Sequence, residues 1–461
     1  MPKPRPAASL PSAIRAGGEA SRTETAQSSP FPAAETAPNS PRSRSLPELL
    51  CPAGDMDRLE AALTYGADAC YLGGSTLSLR AGTQGFDSAA LAQACTTAHA
   101  RGAAIYYTLN ILPHETHLAA VAATLEHLAA SDVDGIIIAD PGVLRMARRY
   151  APEKTIHLST QANTANSEAV GFWHDMGVRR VNLARELDAR AIRHLARTYP
   201  DMELEVFVHG AMCLALSGRC LLSAWLNRRP ANLGECTHPC RFEYRATNAA
   251  CAPCPPHNDS LLCVEEKTRN DGSMWEITRE EPYSAFWAPE DLCLVRYVPW
   301  FIRTGIASLK VEGRMKTPGY VAHVTDVYRT ALNEAAAGTF RPQVYLAELL
   351  NTASRPLTTG FFLPAGRRAA QQPLSAQQRR PIVAQVCERL GDSAWRVAVR
   401  SPWTADRSIQ IMLPGLRRPE LDHQHYQLEN HRGETGGTVH PGMDAILRCE
   451  SPLLQTGIFL R

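Results

Sequence analysis

At 461 residues the chain is long enough for two domains, and a hydrophobic fraction of 44% supplies an ordinary globular core. A formal net charge of +2 argues against binding nucleic acid or membrane by bulk charge and leaves that role to local patches. No apolar run reaches the roughly 18 residues that a membrane span needs.

Residues 1–45 are rich in Pro, Ala, Ser and Arg and show no hydrophobic periodicity, so they read as a disordered leader. They lack the apolar stretch of a signal peptide, and Glu19, Glu24 and Glu35 argue against a transit peptide. Thirteen cysteines without a secretory signal suit a reducing, cytoplasmic compartment, where such residues are core, metal ligands or catalysts.

From residue 46 short apolar runs alternate with amphipathic stretches. The runs are ELLCPAG (48–54), ACYLGG (69–74), AIYYTLN (104–110), GIIIAD (135–140), TIHLSTQ (155–161), RVNLARE (180–186), LEVFVHG (204–210) and SLKVEGR (308–314). Runs of this kind suit a parallel sheet buried on both faces. Helical patterns fill 55–66, 88–101, 117–131, 141–150, 166–176, 187–199 and 318–337. Eight strands, nearly all followed by a helix, predict an α/β fold, a (β/α)8 TIM-like barrel over 46–340. An open doubly wound sheet would carry a glycine-rich phosphate loop after its first strand, and CPAGD is not one. A cysteine-rich insertion, 211–305, follows strand seven. Residues 341–379 read as a linker, and the short alternating runs of 380–461 as a small β-barrel-like C-terminal domain. Its basic residues are all arginine, nearly balanced by acids, which makes RNA binding there an open expectation.

In a barrel of this type the active site lies at the C-terminal strand ends. Those ends carry Asn110, Asp140, Gln161, Asn163, Arg185, Glu186, His209, Lys310, Glu312 and Arg314. Lys310 and Glu312 share a face by strand alternation, as do Gln161 and Asn163. His209, Lys310, Glu312 and Arg314 are the catalytic candidates. Gln161, Asn163, Arg185, Arg219 and Arg241 are candidates for substrate binding, the last two through phosphates of RNA or carboxylates of a small acid. Trp225, Phe242 and Tyr244 are candidates for stacking on a splayed base.

Cys213, Cys220, Cys236 and Cys240 are spaced Cys-x6-Cys-x15-Cys-x3-Cys and should sit over the barrel mouth. Their clustering favours a metal over plain core cysteine. A zinc ribbon from Cys236, Cys240, Cys251 and Cys254, an iron–sulfur cluster, and a catalytic thiol beside His209 all remain open on spacing alone. Cys293 reads as core at the start of a helix-like stretch. The string HETH (114–117) is one residue short of a zinc-protease motif, and no GxSxG elbow occurs.

The segment EVFVHGAMCLALSGRCLLS (205–223), with ELLCPAGDMDRLEAALTYGADACYLGG, STQANTAN, SGRCLLSAWLNRRPANLGECTHPCRFEY and SLKVEGRMKTPGYVAHVTDVYRTAL, resembles the U32 family, historically labelled peptidases. Within it the likeness is greatest to the branch serving prephenate-dependent tRNA uridine hydroxylation, on the C-terminal β domain and the loop ending CTHPCRF. The resemblance implies a 4Fe–4S cluster held by Cys213, Cys220, Cys236 and Cys240, prephenate as co-substrate, tRNA as partner, and hydroxylation at C5 of the wobble uridine. Branches acting on ribosomal RNA or a ubiquinone precursor are the alternatives within the family; a zinc-stabilised, non-catalytic RNA-binding protein is the alternative outside it. The extra cysteines Cys251, Cys254 and Cys263 have no place in the family pattern.

Overall fold

The computed structural model describes residues 46–461 except 76, 79–84, 214, 243, 248–260, 267–273, 279–289, 365–369, 376–377, 431–432 and 436. The expected leader over 1–45 and the pair Cys251 and Cys254 therefore lie outside the described residues. Seven parallel strands run in chain order as neighbours: β1 (Glu48–Pro52), β2 (Ala69–Leu72), β3 (Ala104–Leu109), β4 (Gly135–Ile138), β5 (Thr155–Leu158), β6 (Arg180–Asn182) and β7 (Glu203–Ala211). Helices α1 (Met56–Thr64), α2 (Ser88–His99), α3 (Leu118–Ala129), α4 (Pro141–Tyr150), α5 (Ser167–Asp175) and α6 (Ala189–Thr198) connect them. The insertion then holds α7 (Leu222–Asn227) and an antiparallel meander of β8 (Tyr244–Thr247), β9 (Leu261–Glu266) and β10 (Met274–Thr278). After it β11 (Asp291–Cys293) lies antiparallel on β7, and α8 (Val298–Thr304) leads back to the barrel. The eighth barrel strand, β12 (Ser308–Val311), is parallel to both β1 and β7 and closes the ring.

Side-chain chemistry sets the helix starts. Asp55, Asp87, Asp140, Asn166 and Asp188 each accept a backbone N–H of the turn that follows, as expected of residues whose short polar side chains satisfy orphan donors. Asp140 is thus a cap, bonded to the Val143 N–H at 3.0 Å, not a member of the site its strand-end position suggested. Cys293 is buried as expected, but on strand β11 rather than in a helix.

The barrel interior is more polar than the apolar runs imply. Arg180 reaches Glu48 at 2.6 Å and Glu203 at 2.9 Å, and the Tyr106 hydroxyl donates to Glu48 at 2.8 Å. The His157 ring packs edge-on against Tyr106, 4.5 Å between centroids. Burial, then Arg180, Lys310 and Arg179, pushes the His157 imidazole well below the ordinary range. Burial, then Lys316 and His323, pushes His209 down to about 3. For a base, a lower pKa in the fold means that acid favours the unfolded chain. Stability should hold above about pH 6.5 and fall as pH drops below it, by about 1.4 kcal/mol per pH unit for each histidine protonated only when unfolded. Urea midpoints at pH 7, 6 and 5 test this, and a constant midpoint would show these imidazoles charged in the native state.

After β12 come α9 (Pro318–Ala336) and α10 (Pro342–Leu350). The stretch expected as a linker is structured here: Tyr345 and Leu349 of α10 are buried in the barrel's core cluster. Next, β13 (Leu357–Thr358) extends the barrel sheet beside β11 and pairs with β14 (Ala370–Gln371). The C-terminal sheet is antiparallel and seven-stranded: β15 (Ala384–Arg389), β16 (Ala394–Val399), β17 (Ile409–Met412), β18 (Glu420–Leu421), β19 (Gln427–Glu429), β20 (Asp444–Arg448) and β21 (Phe459–Leu460). It has its own apolar core around Trp403, Val397, Leu447 and Phe459. That core continues onto α1 and α9 through Ala61, Tyr65 and Ala322, and the Tyr65 hydroxyl donates to the Met412 carbonyl at 2.7 Å. Among the described residues no helix is long and apolar enough to cross a membrane.

Candidate active site

The C-terminal strand ends frame a narrow cleft. Lys310, Glu312 and Arg314 line it from β12 and the loop beyond, and Gln161 and Arg185 from the turns after β5 and β6. Lys310 lies 2.9 Å from Glu205 and 4.4 Å from the Tyr71 ring centroid. Burial lowers its pKa and Glu205 opposes that. Arg314 donates to the Thr108 hydroxyl at 2.9 Å. Arg185 donates to the Ala211 carbonyl at 2.9 Å, its guanidinium 3.9 Å from the Phe207 ring centroid. A cation on an aromatic face is held without neutralising its charge, so Arg185 remains competent to meet an anion, whereas Lys310 is paired with Glu205.

Other expected residues do not join them. His209 is buried between Tyr320 and Tyr328, ring centroids 6.1 and 5.6 Å away, outside the cleft. The reason is a register shift between β7 and β12: Lys310 faces Phe207, but Val311 faces His209. The extra residue breaks the alternation that should have kept 205, 207 and 209 on one face. Asn163 closes the turn Thr160–Ala162 in the left-handed region, φ 53°, so strand alternation does not place it beside Gln161. Arg219 is exposed and Arg241 half-buried, both on the cysteine loop rather than lining the cleft. The side chains of Trp225 and Tyr244 lie outside the described residues. Sequence reasoning missed Asn182, Thr108, Tyr71 and Phe207 among the lining residues. Asn182 was legible as an amide inside the apolar run RVNL, two residues from Arg180 and so of the same parity.

The cysteine loop is fastened above this cleft. Glu186 accepts from the Ser217 N–H at 2.8 Å, the Ser217 hydroxyl lies 3.4 Å from Thr160, and Asn232 donates to the Gly218 carbonyl at 3.0 Å. Gly218 has φ +75°, and a Cβ there would sit 2.1 Å from the Gln161 carbonyl oxygen. Only glycine allows both this backbone and this approach. Gly218→Ala should lift the loop, so that its thiols react several-fold faster with an aromatic disulfide reagent while circular dichroism is unchanged. An unaltered rate would mean that the other contacts suffice to seat it.

Cys213 is exposed, and Cys220, Cys236 and Cys240 are half-buried. The Cys240 thiol is pushed up by burial, opposed by Arg241, and pushed further by Cys213, Cys236 and Cys220. The His238 N–H points at the Cys236 sulfur at 3.4 Å. Among the described residues no three His, Cys, Asp or Glu side chains converge to hold a single metal ion. Four cysteine sulfurs on one loop, with a backbone N–H aimed at one of them, are a donor set that an iron–sulfur cluster could use. Exposed HETH forms only a short turn, Glu115–His117, in which the His114 N–H donates to His117 Nδ1 at 2.9 Å.

Residues 54–372 match the model of peptidase family U32. The chain is 36% identical to tRNA hydroxylation protein P of Escherichia coli K12 over 414 residues, which is 84% of this chain and 90% of that one. It is 39% identical to tRNA hydroxylation protein P1 of Bacillus subtilis 168 over 68% of this chain and 71% of the relative. A 23S rRNA 5-hydroxycytidine C2501 synthase from Escherichia coli K12 matches at 31% identity over 62% of this chain and 39% of its own length. A barrel with strand-end polar groups and a cysteine loop above them is the frame of this chain, and the chain belongs to the U32 family.

Proposed function

We propose that this chain is a cytoplasmic iron–sulfur enzyme of tRNA modification that hydroxylates C5 of the wobble uridine, giving 5-hydroxyuridine, with prephenate as co-substrate. One observation carries the tRNA assignment: the 36% identity spans 84% of this chain and 90% of a tRNA hydroxylation protein. The match to the ribosomal RNA synthase covers under half of that protein and supports the second reading less.

The residues on the page suit such a task. Cys213, Cys220, Cys236 and Cys240 would hold the cluster, which when bound supplies one-electron chemistry beside the barrel mouth. Arg219, Arg228 and Arg229 are exposed on the same loop, where they would contact RNA phosphates without reading sequence. The cleft below is lined by Lys310, Arg314 and Arg185, and the two arginines would meet an acidic co-substrate. The site does not favour proteolysis: HETH is one residue short of the zinc-protease motif and lies outside the cleft lining.

Nucleoside mass spectrometry of tRNA is the direct test. A strain lacking this chain, grown without oxygen so that no oxygen-dependent route operates, should lose 5-hydroxyuridine and regain it on complementation. Persistence of the nucleoside would overturn the assignment, and loss of a ribosomal hydroxycytidine instead would favour the second reading.

A further inference from the structure

We propose that the cleft beneath the cysteine loop is the seat of a small organic carboxylate, gripped by Arg185 and Arg314, and that the RNA base stays above it. The division of the two ligands between two levels goes beyond the proposed function; only the identity of the acid as prephenate rests on that reading.

Charge is the first argument. Among the described residues the cleft lining carries three cations, Arg185, Lys310 and Arg314, against one acid, Glu312. Glu205 lies beneath and pairs with Lys310 at 2.9 Å, while Arg180 is held by Glu48 and Glu203, so the charge left to meet an anion is that of Arg185 and Arg314 against Glu312. An anion entering from above meets a positive surface in a site shielded from solvent, where each charge acts strongly.

Unpaired polar atoms are the second. Asn182 is 2% exposed, and neither its Oδ1 nor its Nδ2 has a partner among the described residues. Arg185 Nε and Asn110 Oδ1 are likewise buried and unpartnered. Buried amide and guanidinium groups are ordinarily satisfied. A carboxylate accepts from Arg185 and Asn182 together, and a hydroxyl on the same molecule would donate to an amide oxygen. This is a donor and acceptor set for a polar acid, not for an apolar group.

Size is the third. The cavity is about 60 Å³, room for a few waters or one carboxylate head. A pyrimidine ring and an organic acid do not fit within it together. The body of a larger acid would therefore rise from the cleft toward Gln161, the residue whose carbonyl touches Gly218 of the loop. That places the acid's far end next to the cysteines and leaves the exposed loop arginines for RNA.

Calorimetry on the full chain, purified anaerobically, tests this with prephenate, malate and inorganic phosphate as probes, alongside tRNA binding by filter retention. The wild type should bind prephenate. Arg314→Gln and Arg185→Gln should each weaken that binding at least tenfold while tRNA affinity stays within twofold. If Arg314→Gln melts early, Arg185→Gln decides, because Arg185 makes one hydrogen bond to a backbone carbonyl, Ala211. A third measurement needs no variant: prephenate should slow phenylglyoxal modification of Arg185 in the wild type, mapped by peptide mass spectrometry. If malate binds in place of prephenate and both variants lose it, the carboxylate seat stands and the co-substrate in the proposed function is wrong. Wild-type affinity in the variants, or no acid bound by the wild type, overturns the seat. So does phosphate binding together with a loss of tRNA affinity in the variants, which would make the cleft a phosphate site.

Discussion

Cys213→Ala and Cys220→Ala are each expected to yield a folded, colourless protein with 5-hydroxyuridine at background, where the anaerobic wild type should be brown with broad visible absorption. The expectation rests on where these residues sit. Cys213 is exposed and Cys220 half-buried, so removing either sulfur leaves no core cavity and the fold should survive. Cys51 and Cys70 are the contrast: both are fully buried on neighbouring strands, and burial pushes the Cys51 thiol up to about 12 and the Cys70 thiol well above its ordinary value. Alanine there should cost stability, about 1 kcal/mol or more from lost packing, with the colour kept. All four sulfurs are proposed ligands of one cluster, so Cys236→Ala and Cys240→Ala should match the first two. A zinc-bearing, colourless wild type that needs Cys236 and Cys240 but tolerates loss of Cys213 and Cys220 would refute the cluster.

The barrel was legible because its strands are buried on both faces, and continuous apolar runs separated by amphipathic stretches have few other solutions. Lys310, Arg314, Glu312, Gln161 and Arg185 were legible for a related reason: polar residues ending apolar strands converge at one mouth. Residues that failed did so by identifiable local physics. Asp140 serves its own helix as a cap. Asn163 leaves the strand alternation because the chain turns at Thr160. His209 is displaced by a single-residue register shift that no run of residue types announces. The charged layer of Glu48, Arg180, Glu203 and Glu205 was hidden differently: its members are far apart in sequence, and only barrel closure brings β1, β6 and β7 around one point.

The placement of the C-terminal sheet was beyond sequence reasoning, because its contact with the barrel depends on charges paired across about 90 residues or more. That contact carries the second large prediction. Asp326 of α9 is fully buried; it accepts from the Gly415 N–H at 2.7 Å and from Arg418 at 2.6 Å. Beside it Glu348 of α10 takes both terminal nitrogens of Arg461 at 2.8 Å and lies 3.1 Å from His323. The Glu348 carboxyl is held well below the usual range: burial acts against ionisation, but the bonds from His323 and Arg461 outweigh it.

Asp326→Ala would leave the Arg418 guanidinium, itself 8% exposed, with Glu348 at 3.6 Å as its carboxylate partner, and leave the Gly415 N–H without its acceptor. Breaking one side of a buried ion pair costs about 3–5 kcal/mol, whereas replacing both sides with apolar groups is often nearly neutral. Asp326→Ala should therefore lower unfolding stability by about that amount, and Asp326→Leu combined with Arg418→Met should restore most of it. Urea unfolding of the three proteins measures both. A single-site loss under about 1 kcal/mol would mean that water reaches the pair and screens it as it does surface bridges. Failure of the double substitution to recover would locate the cost in the lost acceptor for the Gly415 N–H rather than in the stranded charge. Either way the result separates how tightly the sheet is locked to α9 and α10 from how well it folds around Trp403, since that core is untouched by either change.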